Sequence, residues 1–384
     1  MEDIEVAEDL VSETFLNAAE TWGLKGLPEN PTAWLYRVAS NKATDYLRRK
    51  QLFDTKISPT LLHTEETAYE LKIDLSAENI NDSQLQMMFA VCHPSISKEA
   101  QIGLSLNILC GFGVEEIADA FLSNKETIYK RISRAKSKLR EDKIKIEVPS
   151  ENEISLRLDS VLTTLYLLFS EGYYSSSSNH SLRKELCLEA MRLNVMLLDY
   201  ALTNTPAAAA LLSLMCFHSS RFESRIQENG ETVLYDEQNQ NLWNIELIEK
   251  GVYYLNLSSI GQTLTKYHLE AAIAYWHTQE KDSIDKWENI LQLYNKLLII
   301  EYSPVAALNR TYALARARNK KEAITEAEKL KLVNNHLYFS LLGYLYSDID
   351  KEKAIHHYQS AIAMTKSTSE IHLLKKKLTQ LTTT

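Results

Sequence analysis

The chain has 384 residues, 45% of them hydrophobic, and its 51 acidic side chains exceed its 42 basic ones to give a formal net charge of −9. This length provides enough apolar surface for two to three domains. The negative charge excludes a protein that coats nucleic acid indiscriminately, and the absence of any run of about 18 apolar residues argues against a membrane span. The acidic N-terminus also lacks the basic and apolar segments of a secretory signal.

The cysteines point to a reducing compartment. Cys92, Cys110, Cys187 and Cys216 are scattered without CxxC spacing, which is typical of reduced thiols in a cytoplasmic protein. His93-Pro94 has no second ligand pair nearby, so we interpret it as a packing and turn feature. Because the sequence also has no Gly-rich phosphate loop and no nucleophile elbow, we predict no metal, no cofactor and no enzymatic activity.

The charges are distributed unevenly along the chain. Residues 1–33 carry eight acidic side chains and one basic one, whereas residues 34–56 carry six basic and two acidic ones. A second cationic segment, residues 124–145, carries nine basic and three acidic side chains. Two basic segments in an acidic chain indicate two focused contacts with phosphates.

Hydrophobic periodicity predicts an amphipathic helix over residues 3–22. Its apolar stripe consists of Val6, Leu10, Val11, Thr14, Phe15 and Ala18. After a loop rich in Gly and Pro, a second helix is expected from about Thr32 to Lys50. One side of that helix carries Trp34, Arg37, Asn41, Asp45 and Arg48. An aromatic ring, guanidinium groups and polar groups on one stripe suit unstacked bases, and the alternative is a solvated face with Trp34 partly buried.

Residues 113–140 have the pattern of a helix-turn-helix. A short helix, a turn at Ser123-Asn124 and a long basic helix follow one another, and Ile128, Ile132, Ala135 and Leu139 form the apolar stripe of the long helix. Such a helix presents its first turns to base edges and its flanks to phosphates. The residues expected to contact DNA are Lys125, Glu126, Thr127, Lys130, Arg131, Arg134 and Lys138, with Lys136 and Arg140 as further phosphate contacts. A basic amphipathic helix with a solvated face is the alternative.

Two segments resemble region 2 of the sigma-70 family, and most closely its extracytoplasmic-function branch: Ala7-Glu-Asp-Leu-Val-Ser-Glu-Thr-Phe15 and Pro31-Thr-Ala-Trp-Leu-Tyr-Arg-Val-Ala-Ser-Asn-Lys-Ala-Thr-Asp-Tyr-Leu-Arg-Arg49. The resemblance implies that the acidic helix docks on the clamp helices of the RNA polymerase β′ subunit through Asp9, Ser12 and Glu13, where Ser12 replaces the usual Gln. It also implies that the next helix holds the melted −10 element. The residues expected there are Trp34, Arg37, Asn41, Asp45, Arg48 and Arg49. Family members have another helix before this motif, so we expect part of the apolar stripe to be exposed.

The helix-turn-helix resembles region 4 of the same family, which implies that it reads the −35 element and contacts the β flap of the polymerase. Two such modules in the family's order, joined by a polar linker, are far more specific than either alone. The implied partners are therefore the core RNA polymerase and promoter DNA.

Residues 154–384 are helical in pattern. Leu342-Gly343, Tyr346, Ala354, Tyr358 and Ala361 have the intervals of a tetratricopeptide repeat, and a looser unit begins after Pro304, a suitable first residue for a helix. The segment Leu165–Tyr174 predicts a helix that ends at Gly172. Its aromatic side chains predict a buried cluster. His356 and His357 point about 100° apart on a helix, so we place them on the surface.

The order of the modules resembles a subgroup of extracytoplasmic-function sigma factors with a tetratricopeptide-like extension. We expect an all-α protein with region 2 at residues 1–52, a linker at 53–80, region 4 at 81–148, and a helical domain at 154–384 with repeats near 303–366. The resemblance implies that the extension regulates the sigma core in place of a separate anti-sigma protein, with a regulatory partner on the repeats.

Three functions remain open from the sequence. The first is promoter recognition and transcription initiation as a dissociable polymerase subunit, which the acidic first helix favours because a stand-alone DNA-binding protein gains nothing from it. The second is a dimeric helix-turn-helix regulator with a repeat-type sensor domain, independent of core polymerase. The third is a repeat scaffold whose sigma modules no longer bind DNA.

Overall fold

The computed structural model consists of α-helices joined by short loops, as the helical periodicity and the scarcity of Gly and Pro predicted. The structure describes residues 4–57, 85–108, 111–120, 123–144, 149–174, 184–225, 233–261, 263–279, 281–365 and 368–383. These residues contain no β-strand, which confirms the predicted all-α class. They form two compact units, Met1–Val161 and Leu162–Thr384. None of the described helices is long and apolar enough to cross a membrane.

The first unit holds six helices and the beginning of a seventh within its described part. They are α1 (Ile4–Lys25), α2 (Pro31–Ile57), α3 (85–91), α4 (Lys98–Ile108), α5 (Val114–Ala120), α6 (Lys125–Glu141) and the start of α7 (Glu151–Tyr174). Helix α2 continues seven residues beyond its predicted end at Lys50, into the predicted linker. The remainder of that linker, residues 58–80, lies outside the described residues, as do Cys110 and Phe121.

Helices α1 and α2 form a helical hairpin around a small contact surface. Thr14 and Ala18 are buried, whereas Phe15 is 58% exposed. The expected exposure of part of the α1 apolar stripe is therefore present. The Asn30 side chain caps α2 by accepting the backbone N–H of Ala33 at 3.0 Å. Across the hairpin, the Lys42 ammonium donates to the Glu13 carboxylate at 2.8 Å.

Helices α4, α5 and α6 pack around buried apolar side chains. Leu104 of α4, Ile117 of α5 and Ile128 of α6 are each fully buried. Arg157 of α7 closes this core on another side, where its guanidinium donates to the carbonyl of Phe89 at 3.0 Å and to the Glu153 carboxylate at 2.8 Å. A buried guanidinium with two acceptors fixes the start of α7 against α3 without leaving a charge unpaired.

The second unit contains the end of α7 and a stack of antiparallel helices. Its helices are α8 (Lys184–Asp199), α9 (Pro206–Ser219), α10 (Phe222–Arg225), α11 (Ile245–Ser258), α12 (Lys266–His277), α13 (Ile284–Ile300), α14 (Pro304–Ala317), α15 (Lys320–Leu330), α16 (His336–Tyr346), α17 (Lys351–Met364) and α18 (Thr368–Thr383). Two 3₁₀ turns, Tyr235–Glu237 and Gln240–Leu242, lie between α10 and α11.

Helix α7 corrects one prediction and confirms another. It does not end at Gly172 but continues to Tyr174. The helix continues because Tyr173, which is 2% exposed, packs its ring 4.6 Å from that of His218 and under the Arg225 guanidinium, 3.7 Å from the ring centre. This packing outweighs the helix-terminating preference of a single glycine. The predicted buried aromatic cluster is present.

The helices predicted as repeats form two hairpins, α14–α15 and α16–α17. Pro304 begins α14 as predicted, with Ser303 as the N-cap. Gly343 permits the close crossing of α16 and α17, because a Cβ atom there would lie 2.8 Å from a ring carbon of the buried Tyr358. His356 is exposed as predicted, whereas His357 is half-buried, since its ring lies 5.5 Å from that of Tyr346 and burial lowers its pKa.

A half-buried carboxyl group in the second unit leads to a testable pH dependence. Burial raises the pKa of Glu270 from 4.5 to about 7, and the Tyr166 hydroxyl donates to this carboxyl at 3.4 Å. Because the folded chain holds this proton more tightly than the unfolded chain, the stability of the second unit should fall as the pH rises from about 4.5 to 7. We expect Glu270→Gln to remove this loss and to stabilise the unit at pH 8 by about 2 kcal/mol, with little effect at pH 4.5.

Urea denaturation at pH 4.5 and pH 8, followed by far-ultraviolet circular dichroism, measures this effect. Glu246→Gln is the control, because the Glu246 carboxylate is exposed and pairs with Lys250 on the surface of α11. An identical pH dependence in the wild type and in Glu270→Gln would contradict the assignment.

Candidate nucleic-acid interface

Helices α5 and α6 lie where the sequence predicts a helix-turn-helix. The backbone N–H of Ser123 donates to the carbonyl of Ala118 at 2.8 Å, which ends α5. The Asn124 side chain then accepts the backbone N–H of Thr127 at 2.8 Å and caps the N-terminus of α6. The predicted stripe of α6 is buried at all four positions, Ile128, Ile132, Ala135 and Leu139. The opposite face of α6 is thereby fixed toward solvent.

The cationic flank of α6 borders an open groove of about 590 Å³. On one side lie Thr127, Lys130, Arg131, Arg134 and Lys138, and on the other lie Ser95, Ser97 and the start of α4. Five of the residues predicted to contact DNA are thus brought together on one face. Four cations beside small hydroxyl side chains form a surface that attracts phosphate.

Surface ion pairs hold several of these cations in place. Lys130 donates to Glu126 at 2.6 Å and Lys138 donates to Asp142 at 2.9 Å, in both cases one helical turn away. Lys125 pairs with Glu115 and thereby ties α6 to α5. The hydrogen bond to Asp142 raises the pKa of Lys138. Such exposed pairs contribute at most about 1 kcal/mol each, so a phosphate can replace the carboxylate.

Arg134 differs from these cations. Its side chain is exposed in the middle of α6, and within the described part of the chain it forms no ion pair. A guanidinium without an acidic partner binds phosphate or the edge of a guanine without first breaking an intramolecular contact. Arg134 is therefore the residue of the flank from which we expect the largest effect.

The predicted −10 residues lie on the outer side of α2. Arg37, Asn41 and Asp45 are exposed, whereas Trp34 is half-buried, with its ring centre 5.4 Å from that of Trp22 at an interplanar angle of 59°. The tilted packing on Trp22 supports the indole while leaving part of it accessible. The side chains of Arg48 and Arg49 lie outside the described residues, although the α2 backbone at these positions is helical.

The predicted polymerase-binding residues lie on exposed positions of α1. Asp9, Ser12 and Glu13 are all exposed, and Glu13 also pairs with Lys42 of α2. Apolar side chains adjoin them, since Val11 and Leu16 are 47% and 62% exposed. A mixed acidic and apolar surface of this kind is typical of a protein-binding helix.

One contact joins the acidic helix to the basic helix, and no sequence pattern predicts it. The Lys136 ammonium donates to both oxygens of the Glu8 carboxylate, at 2.6 and 2.8 Å, across a separation of 128 residues. Lys136 was predicted to contact phosphate, and Glu8 lies next to the predicted polymerase contact Asp9. A long-range pair between two surface positions leaves no periodic pattern, so only the folded chain identifies it.

His93 has the turn role predicted for it. Its ring Nδ1 accepts the backbone N–H of Ser95 at 3.1 Å, and the side chain of Gln101 donates to its carbonyl at 2.8 Å. Burial, followed by the nearby charge of Arg157, lowers the pKa of His93. The neutral imidazole therefore serves as a hydrogen-bond acceptor in the turn before α4.

Comparison with known families agrees with this geometry. Residues 2–53, which comprise α1 and most of α2, match the family model "Sigma-70 region 2". Residues 157–259 match the family of unknown function DUF6596. The chain is similar to an uncharacterized protein, R00370, of Rhizobium meliloti (strain 1021), with 30% identity over 99% of this chain and 90% of the relative. No solved structure matches the chain.

These matches place the chain in the sigma-70 family, with region 2 at its N-terminus. Because the match to the rhizobial protein extends over nearly the full length of both chains, the two proteins belong to one family.

Proposed function

We propose that this protein is a sigma factor that directs RNA polymerase to promoters, with α6 at the −35 element and α2 at the −10 element. The observation that carries the proposal is the groove beside α6, where Lys130, Arg131, Arg134 and Lys138 face one side of a capped and rigidly packed helix. A region 2 module in the same chain supplies the second DNA contact that initiation requires. The protein acts by binding and orientation rather than as an enzyme.

At the −35 element, the first turns of α6 face the bases. Lys125, Glu126 and Thr127 lie directly after the Asn124 cap, where a recognition helix enters the major groove. Arg134 and Lys138 follow along the flank and contact the phosphates on the sides of that groove. The ion pairs of Lys125 and Lys130 hold these side chains until a phosphate replaces the carboxylate.

At the −10 element, α2 holds bases that have left the duplex. Trp34 offers an indole face for stacking, and the exposed amide of Asn41 and carboxylate of Asp45 accept or donate hydrogen bonds at base edges. Arg37, Arg48 and Arg49 contact the backbone phosphates. Docking on the polymerase offsets the cost of unpairing, which is on the order of a few kcal/mol.

Helix α1 is the proposed contact with core polymerase. Asp9, Ser12 and Glu13 present polar groups beside the exposed Val11 and Leu16, and we propose that this surface binds the β′ clamp helices. The β flap would then bind near the helix-turn-helix. An acidic helix that repels DNA is useful only if a protein partner covers it.

The C-terminal unit is the proposed regulatory extension. The hairpins α14–α15 and α16–α17, with the close crossing at Gly343, support its assignment as tetratricopeptide-like repeats. With this extension the chain fits the extracytoplasmic-function subgroup whose sigma core and regulator are one polypeptide.

Transcription with purified components tests the proposal. Core polymerase is incubated with fragmented genomic DNA, with and without the chain, and the transcripts are mapped. We expect new start sites that depend on the chain. If the chain never associates with core and instead binds a palindromic duplex alone as a dimer, the proposal is wrong. The protein is then the dimeric helix-turn-helix regulator.

The Glu8–Lys136 pair gives a prediction about DNA affinity. While Glu8 occupies Lys136, this cation is unavailable for phosphate. We expect Glu8→Gln to release it, so that the logarithmic plot of duplex affinity against salt becomes steeper by about one unit. Fluorescence anisotropy at several salt concentrations measures the slope. Glu29→Gln, which removes an exposed acid outside this pair, should leave the slope unchanged; equal slopes for Glu8→Gln and the wild type would contradict the prediction.

A further inference from the structure

Residues 233–244 of the second unit form a loop whose two ends are held by hydrogen bonds. We call this loop the strap. At one end, the backbone N–H of Val233 donates to the carbonyl of Arg225 at 2.8 Å; at the other, that of Asn244 donates to the carbonyl of Ser220 at 2.8 Å. The indole N–H of Trp243 adds a hydrogen bond to the Ser224 hydroxyl at 3.1 Å. Both ends are therefore held by the turn around α10, independently of what the middle contacts.

In the middle of the strap, Tyr235–Glu237, the two acidic side chains contact α14 of the predicted repeats and α18. The Arg316 guanidinium of α14 donates to both carboxylate oxygens of Asp236, at 3.0 and 3.2 Å. The Tyr312 hydroxyl, also on α14, donates to Asp236 at 3.4 Å. On α18, two lysines contact the other acid, with Lys376 and Lys377 each 3.5 Å from Glu237. We call the three cations Arg316, Lys376 and Lys377 the cationic face, which the Tyr312 hydroxyl adjoins.

Tyr235 enters a more enclosed position beside this face. Its hydroxyl accepts from the ammonium of Lys286, at 2.9 Å, and donates to the carbonyl of His277, at 2.9 Å. Lys286 is only 2% exposed, and its second acceptor is the carbonyl of Gln279, at 2.9 Å. A buried ammonium needs such acceptors, so any occupant of this position must supply an oxygen where the tyrosine hydroxyl lies.

We infer that the cationic face is a docking site for an acidic peptide segment with an aromatic residue before two carboxylates, and that Tyr235–Glu237 occupies this site in cis. The strap resembles a bound peptide, because an aromatic side chain is followed by two acidic ones. Its backbone at these three residues forms a single 3₁₀ turn. The carboxylates remain 54% and 38% exposed in their ion pairs, which makes the contact reversible. Because its ends are anchored elsewhere, the middle can leave without unfolding the unit. This inference does not depend on promoter recognition.

A tethered strap competes strongly with a peptide in solution. A short tether holds its segment at an effective concentration on the order of millimolar, so a partner peptide binds well only after the strap is released. We therefore expect the wild-type chain to bind an acidic peptide weakly and a variant with a disabled strap to bind it at least about tenfold more tightly. The strap is then a built-in inhibitor of this docking site.

The probe is a labelled peptide with the strap's own sequence, residues 233–244, and the matched control peptide has Asn and Gln in place of its Asp and Glu. Anisotropy compares the full-length wild type with Tyr235→Ala/Asp236→Asn/Glu237→Gln. The released variant should bind the acidic probe at least about tenfold more tightly than the wild type and should not bind the control peptide. Adding Lys376→Gln/Lys377→Gln should weaken this binding by roughly fivefold. Lys250→Gln, which removes a lysine of α11 away from the cationic face, should not.

A second measurement covers the case in which the triple variant does not fold. Hydrogen exchange of the amides at 234–238 is compared between the wild type and Lys376→Gln/Lys377→Gln, which changes one exposed and one half-buried side chain of α18. We expect faster exchange in the variant and no change for Lys250→Gln. If exchange is the same in both, the strap is merely a structural loop and the inference is wrong. A folded released variant that binds the probe no better than the wild type would overturn it equally.

Discussion

Replacing Lys130 and Arg134 together by alanine is expected to reduce promoter-specific transcription by about 100-fold. Each side chain contributes on the order of 1–3 kcal/mol when it contacts a base or phosphate, and the two lie one turn apart on the exposed flank of α6. Neither is part of the apolar stripe, so the fold should survive the change. Transcription from a selected promoter with core polymerase present measures the loss.

The matched control changes cations of the second unit. Lys250→Ala and Lys353→Ala remove two exposed charges of similar kind from α11 and α17, and should leave transcription unchanged. The single variant Arg134→Ala should account for the larger part of the effect, because Lys130 is already paired with Glu126. If the double variant transcribes like the wild type, α6 does not read promoters.

Gly251→Ala is expected to destabilise the second unit by about 2 kcal/mol or more. A Cβ atom at Gly251 of α11 would lie 2.6 Å from a ring carbon of Phe217 of α9, and that ring is fully buried. The two backbones cannot separate easily, since the hydroxyl of Ser213 donates to the carbonyl of Gly251 at 2.7 Å. Overpacking therefore outweighs the gain of about 0.5–1 kcal/mol that alanine brings to a helix interior.

Native-state hydrogen exchange of α9 and α11 in the full chain measures this loss as about a 30-fold increase in the population of the open state. Gly103→Ala is the control, because Gly103 is also buried in a helix but its nearest side-chain atom, on Ile132, is 3.9 Å from the added Cβ. It should be neutral or stabilising. Phe217→Leu should relieve part of the damage in the double variant. Equal tolerance of alanine at both glycines would contradict the packing account.

Local signals predicted the helices and the orientation of α6. The spacing of Ile128, Ile132, Ala135 and Leu139 defined its buried side, and Asn124 marked its beginning. Pro304 marked the start of α14 in the same way. Such features depend on residues within one or two turns of each other, so they can be recognised directly in the sequence.

Features that depend on distant partners were not predictable. Gly172 is a helix terminator by itself, but the packing of Tyr173 against α9 extends the helix past it. The Glu8–Lys136 pair and the contact of the strap with α14 join residues 128 and 80 positions apart. Polar surface residues show no periodicity that would signal these contacts. The degree to which Trp34 is exposed was not predictable either, because a tryptophan in an amphipathic helix suits either a core or a stacking surface.

Hydroxyl-radical footprinting on a selected promoter, with and without core polymerase, tests whether α6 and α2 bind promoter DNA at two separate places while α1 binds the polymerase. We expect two protected segments that appear only with core. Arg134→Ala should remove the upstream segment, and Asn41→Ala should weaken the downstream one. A single symmetric segment, protected by the chain alone and unchanged by core polymerase, would contradict this expectation.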